Sequence, residues 1–470
     1  MGDDGRISKL PDAVIIHILS FLPTEDVVRT CLLSKRWKLL WYSVPTLFFS
    51  NHTTNDVEKF YNYVDNCLEH RNKAFIVDSV ITSFKLKMFD CYHGSKAGLL
   101  DKWLAFAVEN KIKEIYLSIG QEQVSDSNFI DYYCLPKILD NARYLTILEL
   151  NGVKLDTSYS FSFPFLKTLS LEDVWQSHTA EEDGVVRFLL GCPSLEKLRL
   201  HDYVFLRTNV RFQLQSLSLK FMELISENYD YDVQIQVDAI NLESLVVESI
   251  SLDQINLSSC KKIRNLTLSN VYCMNNNHPS SLEVLMSNIP LIENLTLSIC
   301  NPLKSEHLKI PSQYLKSFCF DNCTPSCGQG VMKVVTLESA PNLAYFCYVG
   351  NINFSISMES SSGSLNGEFI ILEGQRDYDT KWYTDMMNFL VNLKCSWNIV
   401  TLHVSTYKAL IWPENLKNIC RYPLLNWKHL RVITNCCNPC KPENESDLKD
   451  ALMWISPSLE TLSINEKVIF

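Results

Sequence analysis

A recurring apolar pattern constrains the fold of this 470-residue chain more than any other feature of its sequence. The pattern places apolar residues at positions 1, 4 and 6 of a short segment, and an apolar, Cys or Asn residue at position 9. Clear matches begin at Leu145, Leu166, Leu195, Leu214, Leu242, Ile263, Ile292, Leu315 and Leu343, and looser matches begin at Ile81, Ile112, Ile399, Trp427 and Leu459. Because one phase returns along most of the chain, chance spacing in a leucine-rich sequence is the weaker explanation.

The spacing of the matches predicts the architecture. From Ile81 to Leu343 the first positions lie 31, 33, 21, 29, 19, 28, 21, 29, 23 and 28 residues apart, which centres on the ~20–29 residues of a leucine-rich repeat. We therefore expect an α/β solenoid over residues 79–411, with strands on its concave side and helices or irregular turns on its convex side. Helix-like stretches at 185–190, 282–286 and 331–335 fit the convex side, and Phe369 with Leu372 marks a degenerate unit within the 56 residues from Leu343 to Ile399.

Strand alternation predicts which side chains line the concave surface, since positions 3, 5 and 7 share a face. Most of these residues are small and polar. One basic concentration is formed by Lys197, Arg199, His201 and Lys220, and an apolar spot follows at Tyr345. Basic side chains suit an acidic or phosphorylated partner segment, so we expect these residues to contact a protein substrate. The alternative is that they are solvated strand side chains.

The first 50 residues follow a different, helical period. After Pro11 and Asp12, a first helix places Val14, Ile15, Ile18, Leu19 and Leu22 on one stripe, and Pro23 ends it. A second helix opens at Thr24, whose hydroxyl is expected to cap it, and a third is capped by Ser34 and carries Trp37, Leu40 and Trp41. Three short helices form a small core, so we expect some of their apolar surface to require a partner.

This segment resembles an F-box of the plant type. The resemblance is carried by residues 10–12 (LPD), 18–23 (ILSFLP), 33–37 (LSKRW), 40–41 (LW) and 44–47 (VPTL). It implies docking onto a Skp-like adaptor and, through it, onto a cullin scaffold, with anchors expected at Leu10, Pro11, Ile18, Leu22, Leu33, Trp37 and Trp41. Residues 6–50 carry a net charge of +3, which suits an acidic adaptor. The alternative is an ordinary helical cap on the repeats.

The last 59 residues predict a strand around 427–432, a helix over 448–454 and a strand around 459–464. This order resembles the FBD module that closes many plant F-box proteins with leucine-rich repeats, and such a module can cap a repeat array. We therefore divide the chain into an F-box (1–50), a helical linker or N-terminal cap (51–78), leucine-rich repeats (79–411) and an FBD-like module (412–470).

Together the three modules resemble the plant F-box/leucine-rich-repeat/FBD family. That family implies a substrate-recognition subunit of an SCF-type ubiquitin ligase, in which other subunits perform the thioester transfer and this chain supplies proximity. Two other classes stay open: an interaction scaffold that binds the adaptor without productive ubiquitination, and a small-ligand receptor. Comparing the proteins bound with and without residues 1–50, and asking which accumulate when the proteasome is blocked, discriminates the first two.

Composition and motifs limit the remaining possibilities. A net charge of −10 disfavours a nucleic-acid partner. We find no membrane-spanning run and no signal peptide, so we expect an intracellular protein of the cytoplasm or nucleus, with its 17 cysteines reduced. Nucleophile and phosphate-binding motifs are absent from the sequence, so no catalytic residue or cofactor is expected.

The cysteine clusters are the one metal-like feature. They comprise Cys319-x3-Cys323-x3-Cys327, and Cys436-Cys437-x2-Cys440 with Cys420 and His429 nearby. A single C-x2-C pair without a second pair at the right spacing is a weak zinc signature, so we expect no metal.

Overall fold

The structure is a computed structural model of the full chain. The chain divides into two compact units, residues 1–234 and 235–470. The residues that it describes are 6–52, 56–73, 80–121, 132–156, 160–176, 184–202, 211–226, 234–271, 281–299, 307–311, 313–322, 334–338, 340–353, 355–358, 365–372, 378–393, 396–419, 427–434, 445–465 and 467–469.

The first unit begins with three short helices and continues as strands separated by helices. Its helices are α1 (Asp12–Leu19), α2 (Thr24–Arg29), α3 (Lys35–Leu40), α4 (Val57–Lys73), α5 (Ala97–Glu109) and α6 (Gly184–Leu190). Its strands are β1 (Thr46–Ser50), β2 (Ser83–Tyr92), β3 (Glu114–Gln121), β4 (Tyr133–Cys134), β5 (Ile147–Asn151), β6 (Val153–Leu155), β7 (Thr168–Glu172), β8 (Trp175–Gln176), β9 (Lys197–His201), β10 (Arg211–Gln215) and β11 (Phe221–Ile225).

Parallel pairing in chain order organises this unit. The main sheet runs β1, β2, β3, β5, β7, β9, β11, and each strand pairs with the next. Corresponding repeat positions face each other across these strands: Leu148 opposes Leu169, and Leu169 opposes Leu198. The short strands β4, β6 and β8 form a second parallel sheet. Each strand is therefore one repeat, stacked on its neighbour in register.

The second unit repeats this plan. Its helices are α7 (Ser281–Asn288), α8 (Thr380–Asn392), α9 (Glu414–Ile419) and α10 (Glu445–Ile455). Its strands are β12 (Gln234–Asp238), β13 (Ser244–Glu248), β14 (Ile255–Asn256), β15 (Asn265–Val271), β16 (Asn294–Ile299), β17 (His307–Pro311), β18 (Ser317–Asp321), β19 (Val334–Glu338), β20 (Tyr345–Gly350), β21 (Ser355–Met358), β22 (Leu365–Ile371), β23 (Trp397–Val404), β24 (His429–Thr434), β25 (Thr461–Ile464) and β26 (Lys467–Val468).

Its main strands also pair in parallel and in chain order, through β13, β15, β16, β18, β20, β22, β23, β24 and β25. Strand β26 then turns back antiparallel to β25. A second sheet of β17, β19 and β21 lies behind part of this series. The strand, helix and strand expected near the end of the chain are β24, α10 and β25.

The repeat template explains which side chains are buried. Positions 1, 4 and 6 point inward, and Leu166, Leu169 and Leu171 are fully buried, as are their counterparts in the neighbouring repeats. Positions 3, 5 and 7 form the opposite surface of each main sheet, which we call the open face. In β7 this gives the alternation of half-buried and buried residues from Thr168 to Leu171.

A recurring turn ends many of the main strands at position 8. Gly152, Asp173, Asp202, Ser249 and Asn270 all follow position 7 and have φ between 45° and 69°. Gly, Asn and Asp adopt this left-handed conformation at low cost. The Asp202 amide still donates a hydrogen bond to the Ile225 carbonyl at 3.0 Å, so the turn extends the ladder before the chain leaves the sheet.

Strand register corrects the repeat that we predicted to begin at Leu214. Strand β11 aligns Met222 with Leu198 and Leu224 with Leu200, so the repeat begins at Leu219. Leu217, expected inside, is 74% exposed. The sequence misled here because leucines five residues apart, at 214 and 219, both fit the first position of the template. A smaller shift of two residues occurs in the repeat of β23, where Val400 pairs with Leu430. In the degenerate repeat before it, Gly367 and Phe369 occupy the inward positions.

The secondary structure of the segments behind the main sheets also differs in part from the prediction. The predicted helices at 185–190 and 282–286 are confirmed as α6 and α7. The helix predicted over 331–335 is wrong in its described part, since Val334 and Val335 belong to strand β19. Valine is β-branched and favours strands, and β19 pairs with strands on both sides, so sheet formation outweighed the helical spacing.

The N-terminal helices are connected to the sheet by β1. This strand lies within the residues assigned to the F-box, but it pairs with β2 and buries Leu47 and Phe49 as repeat positions 4 and 6. The Ser34 cap of α3 is confirmed, because its hydroxyl accepts a hydrogen bond from the Trp37 amide. The Thr24 cap is wrong: the Thr24 hydroxyl instead accepts the Phe48 amide at 2.8 Å.

Candidate functional site

The F-box helices have a small core of their own. It comprises Ile15, Leu19, Val27, Trp37, Leu40, Trp41 and Val44, which are all buried together. The guanidinium group of Arg36 holds the helices around this core together. Arg36 of α3 pairs with the Asp12 carboxylate of α1, with Nε and Oδ1 at 2.8 Å, and donates to the Leu10 carbonyl. The helices are therefore held in one arrangement by polar contacts as well as by packing.

A buried arginine of α4 joins the F-box to the rest of the first unit. Arg71 donates to the carbonyl oxygens of Trp41 and Val44 at 2.6 and 3.0 Å, and its guanidinium lies 5.2 Å from the centre of the Trp41 ring. Burial lowers the pKa of Arg71 to about 10. Since Arg71 satisfies carbonyls at the end of α3, the linker helix positions the F-box rather than merely tethering it.

The F-box segment exposes large apolar side chains over a short stretch of the chain. Eight of them lie between residues 7 and 39: Ile7, Val14, Ile18, Phe21, Leu22, Leu32, Leu33 and Leu39. Leu32 is 90% exposed, Phe21 72% and Leu33 65%. Exposed apolar side chains concentrated in this way mark a protein interaction surface. We call these eight residues the apolar face.

The predicted adaptor anchors divide between this face and the core. Ile18, Leu22 and Leu33 belong to the apolar face, and Pro11 is exposed at the start of α1. Leu10 packs against the F-box core. Trp37 and Trp41 are each only 6% exposed, so the structure places them inside the core and not on the surface. Helical periodicity identifies the apolar stripe of each helix but does not say which half of a wide stripe stays open.

Ion pairs alter the predicted basic patch on the open face of the first unit. Glu223 of β11 lies 2.6 Å from His201 Nε2 and 3.5 Å from Arg199 Nε. Lys197 lies over the Phe221 ring, 4.8 Å from its centre. Because Glu223 contacts two of the basic residues, the surface carries mixed charge and is not a purely basic patch.

The register correction also moves the fourth basic residue. Lys220 precedes β11 at position 2, and its Nζ contacts Glu196 at 2.9 Å. Lys167 contacts the other carboxylate oxygen of Glu196 at 3.0 Å. Their hydrogen bonds, with Lys220 the stronger cause, lower the pKa of Glu196. Lys220 therefore belongs to a row of exposed ion pairs beside the open face.

Sequence reasoning missed a groove on the same open face. It has a volume of about 290 Å³ and is lined by side chains of β1, β2, β3, β5 and β7, among them Phe48, Lys85, Tyr116 and Glu149. Lys85 Nζ lies 4.5 Å from the centre of the Tyr116 ring, and burial together with Glu114 and Glu149 raises the pKa of Tyr116 to about 12. Positions 5 of the looser repeats supply this groove, and listing them from Ile81 onward would have found it.

Tyr345 lies on the open face of the second unit, as predicted, but in a polar network. Its hydroxyl donates to Glu368, and the other carboxylate oxygen of Glu368 lies 2.7 Å from His403 Nε2. Burial, followed by the hydrogen bond to Glu368, raises the pKa of Tyr345. The expected apolar spot is therefore an aromatic residue held by a carboxylate.

The described residues hold no group of three His, Cys, Asp or Glu side chains placed to bind a metal ion. Most of the cysteines of the two sequence clusters, namely Cys323, Cys327, Cys420, Cys436, Cys437 and Cys440, lie outside the described residues. Among the helices that the structure describes, none is both long enough and apolar enough to cross a membrane.

Comparisons with known proteins agree with the F-box and with the leucine-rich repeats. The model of the F-box domain matches residues 7–49, and a model described as "FBD-associated F-box protein At5g56370, LRR repeats" matches residues 100–265. The first match covers the F-box core and its apolar face. The second covers the main strands from β3 to β13 and reaches the start of β15.

Curated relatives from Arabidopsis thaliana extend the similarity. The F-box protein At4g09920 is 31% identical over 288 residues, which cover 56% of this chain and 87% of the relative. The F-box/LRR-repeat protein At3g26922 is 28% identical over 319 residues, covering 67% and 94%. The F-box/FBD/LRR-repeat protein At3g26920 is 30% identical over 255 residues, so the match spans about half of that relative, 54% of its length. The chain belongs to the plant family of F-box proteins with leucine-rich repeats that includes the FBD-associated F-box proteins.

Proposed function

We propose that this protein is a substrate-recognition subunit of an SCF-type ubiquitin ligase. In this proposal the F-box binds a Skp-like adaptor and, through it, a cullin, while the open faces of the repeats bind a protein substrate for ubiquitination and proteasomal degradation. The chain contributes no catalytic residue and acts by proximity. The observation that supports the proposal most is the apolar face, formed by helices that already have a complete core.

The chemistry of the apolar face indicates how an adaptor would bind. Leu32, Leu33 and Phe21 are side chains whose burial against a partner is worth about 1.5–3 kcal/mol each. The core residues Trp37 and Trp41 then serve to hold the helices that present these side chains. The net charge of +3 over residues 6–50 speeds association with an acidic adaptor. The anchors in this proposal are Leu10, Pro11, Ile18, Leu22 and Leu33.

The first experiment measures adaptor binding by the full chain. We expect Leu33→Arg to weaken binding of a purified plant Skp-type adaptor by about 30-fold or more, the cost of losing a central contact of about 2 kcal/mol. Leu217→Arg is the matched control, because Leu217 is similarly exposed but lies among the repeats. Equal affinity of the Leu33→Arg variant and the unmodified chain in titration calorimetry would reject the proposed adaptor surface.

A second experiment addresses degradation. Proteins captured by the unmodified chain and by the Leu33→Arg variant are compared in plant cells with and without a proteasome inhibitor. A degradative subunit gives substrates that both chains bind and that accumulate on proteasome inhibition or with the variant. Partners that bind both chains and keep constant levels would instead identify a non-degradative scaffold.

We place the substrate contacts on the open faces. In the first unit they include the groove beside Lys85 and Tyr116 and the mixed-charge cluster of Lys197, Arg199 and His201, with Lys220 at its edge. In the second unit they include Tyr345. Because the Glu223 carboxylate contacts Arg199 and His201, a substrate segment with both acidic and basic side chains fits this surface better than a uniformly acidic one.

Charge variants test this placement. Lys197→Glu combined with Arg199→Glu is expected to abolish capture of substrates identified above, and Lys449→Glu, on α10 of the second unit, is the control for added negative charge. Unchanged capture by the double variant would place the substrate elsewhere.

The curved solenoid and the closing role of residues 412–470 as an FBD module also belong to this proposal, and in-register stacking within each unit supports them.

A further inference from the structure

Two cysteines lie side by side on the open face of the second unit. Cys319 of β18 and Cys347 of β20 are direct partners in the parallel register. Both are free thiols; Cys319 is half-buried and Cys347 is buried. The other residues of this face at position 5 include Thr267 and Thr296 on the preceding strands and Glu368 on the next. The pair therefore has hydroxyl-bearing neighbours on one side and a carboxylate on the other.

The geometry of parallel strands brings these two sulfur atoms within bonding reach. Neighbouring strands are about 4.7–4.9 Å apart, and disulfides form between residues whose Cα atoms are about 4.4–6.8 Å apart. Register places the two thiols on the same face of adjacent strands, and the hydrogen bond between them lowers the pKa of Cys319 and raises that of Cys347. A cross-strand bond requires this placement of two cysteines, side by side on one face of adjacent strands.

The surroundings give the two thiols different roles. Cys319 is the more accessible of the two, and the hydrogen bond from Cys347 favours its thiolate, which is the nucleophilic form. Burial and Glu368 both disfavour a thiolate at Cys347. Cys319 is therefore the site of first attack, and Cys347 is placed to resolve the product.

We propose that Cys319 and Cys347 form an oxidation site, in which a peroxide converts the two thiols into a disulfide that links β18 to β20. The Cys319 thiol gives up its proton, and the thiolate attacks one oxygen of hydrogen peroxide to form a sulfenic acid. The hydroxide that is released takes up this proton and leaves as water. The Cys347 sulfur then attacks the Cys319 sulfur and gives its proton to the hydroxyl group that it expels, which leaves as a second molecule of water. The sulfur atoms lose two electrons, and the peroxide gains them.

The nearest aromatic residue shows what such a bond would change. Tyr345 contacts both Glu368 and the Cys347 thiol. A disulfide removes the Cys347 proton and draws its sulfur toward β18, away from this contact. The site goes beyond the proposed ligase role and does not depend on it, because no adaptor or substrate takes part in the reaction.

The experiment uses the full chain carrying Cys323→Ser and Cys327→Ser, so that the tryptic peptide 317–333 holds Cys319 as its single thiol and the peptide 334–376 holds Cys347. The reduced protein is treated with one equivalent of hydrogen peroxide, alkylated and digested. We expect a linked pair of these peptides, 2 Da lighter than their sum. Introducing Cys347→Ser is expected to remove the link and to raise dimedone labelling of Cys319 at least several-fold.

Cys260→Ser is the matched control, since Cys260 is a buried thiol of the same unit whose Sγ donates to the Val237 carbonyl at 3.1 Å, and it should leave the link unchanged. Far-ultraviolet circular dichroism establishes that each variant is folded. A second measurement avoids any dependence on the oxidant: phenylarsine oxide binds two adjacent thiols, so we expect the chain with Cys347 to take up one equivalent more than the Cys347→Ser variant. Peroxide that oxidises Cys319 without a linked peptide, or equal arsenical uptake with and without Cys347, overturns the proposal.

Discussion

The F-box helices and the repeats of the first unit differ in how completely they bury their apolar side chains. In each main strand the inward residues meet the equivalent residues of the next repeat, so nearly every apolar side chain is buried and the open face is polar. The F-box has three short helices and no equivalent neighbour, so its apolar face stays exposed. A stacked repeat completes its own core, whereas a three-helix module of this size leaves apolar surface for a partner.

This contrast assigns different kinds of recognition to the two regions. The apolar face gains affinity from removing water from leucine and phenylalanine side chains. The open face presents charges that are already paired, such as Glu223 with Arg199, and therefore offers specificity through complementary polar contacts. Four changes test or sharpen the contrast, ordered from the largest expected effect to the smallest.

Trp37→Ala tests whether the F-box core is separate. Trp37 is the central aromatic residue of that core, and truncation should cost about 3–5 kcal/mol of unfolding free energy locally. We expect hydrogen exchange to accelerate in α1–α3 while the strands β5–β9 keep their protection, and adaptor binding to be lost. Equal loss of protection in the helices and strands would show that the two regions unfold as one body, which removes the contrast.

Leu198→Ala tests the repeats in the same way. Leu198 is fully buried between Leu169 and Met222 at position 4 of neighbouring strands. We expect a loss of about 2–5 kcal/mol in denaturant unfolding and no change in adaptor affinity. Leu32→Ala is the matched leucine on the apolar face, expected to leave stability within about 0.5 kcal/mol while weakening adaptor binding. Similar stability losses in both variants would contradict the assignment of Leu32 to an open surface.

Gly367→Ala measures how tightly the repeats are packed where the template degenerates. Gly367 occupies position 4, and a Cβ there would lie 2.7 Å from the Trp397 ring and 2.8 Å from the Phe369 ring. Overpacking of rigid rings should cost about 1–3 kcal/mol in denaturant unfolding. Combining Gly367→Ala with Phe369→Leu, which removes one of the two rings, should recover part of the lost unfolding free energy. If Gly367→Ala alone leaves the unfolding free energy unchanged, the packing around Gly367 accommodates a change as easily as the exposed F-box surface does.

Glu196→Gln probes the exposed ion pairs and should have the smallest effect. The pKa of Glu196 is lowered by Lys220 and Lys167, so its contribution is present above the ordinary glutamate pKa and is lost as pH falls through the lower value of the folded state. We expect a melting temperature lower by about 1 °C or less at neutral pH, and a smaller difference in acid. Glu172→Gln serves as the control, and a difference that grows on acidification would reverse the assigned sign.

Part of the site could be read from the sequence, and part could not. Repeat phase located the open faces and most of their residues, and helical period located the F-box core. Neither could place Trp37 inside and Leu33 outside, because both were expected as adaptor anchors and periodicity along the chain does not say which apolar side chains a small helical module leaves exposed. The pairing of Glu223 with Arg199 was hidden because the template also fitted five residues earlier in the chain. The Lys85 groove escaped notice because the matches in that region are loose.

The sequence by itself determined what is periodic and local: the stacked strands, the three N-terminal helices, the Ser34 cap and the family to which the chain belongs. Tertiary structure decided the register of β11, the strand identity of β19, the mixed charge around Glu223 on the open face of the first unit and the pairing of Cys319 with Cys347. The reason is that spacing along the chain fixes which side chains share a face, whereas the partner of a face is fixed by contacts between segments distant in sequence.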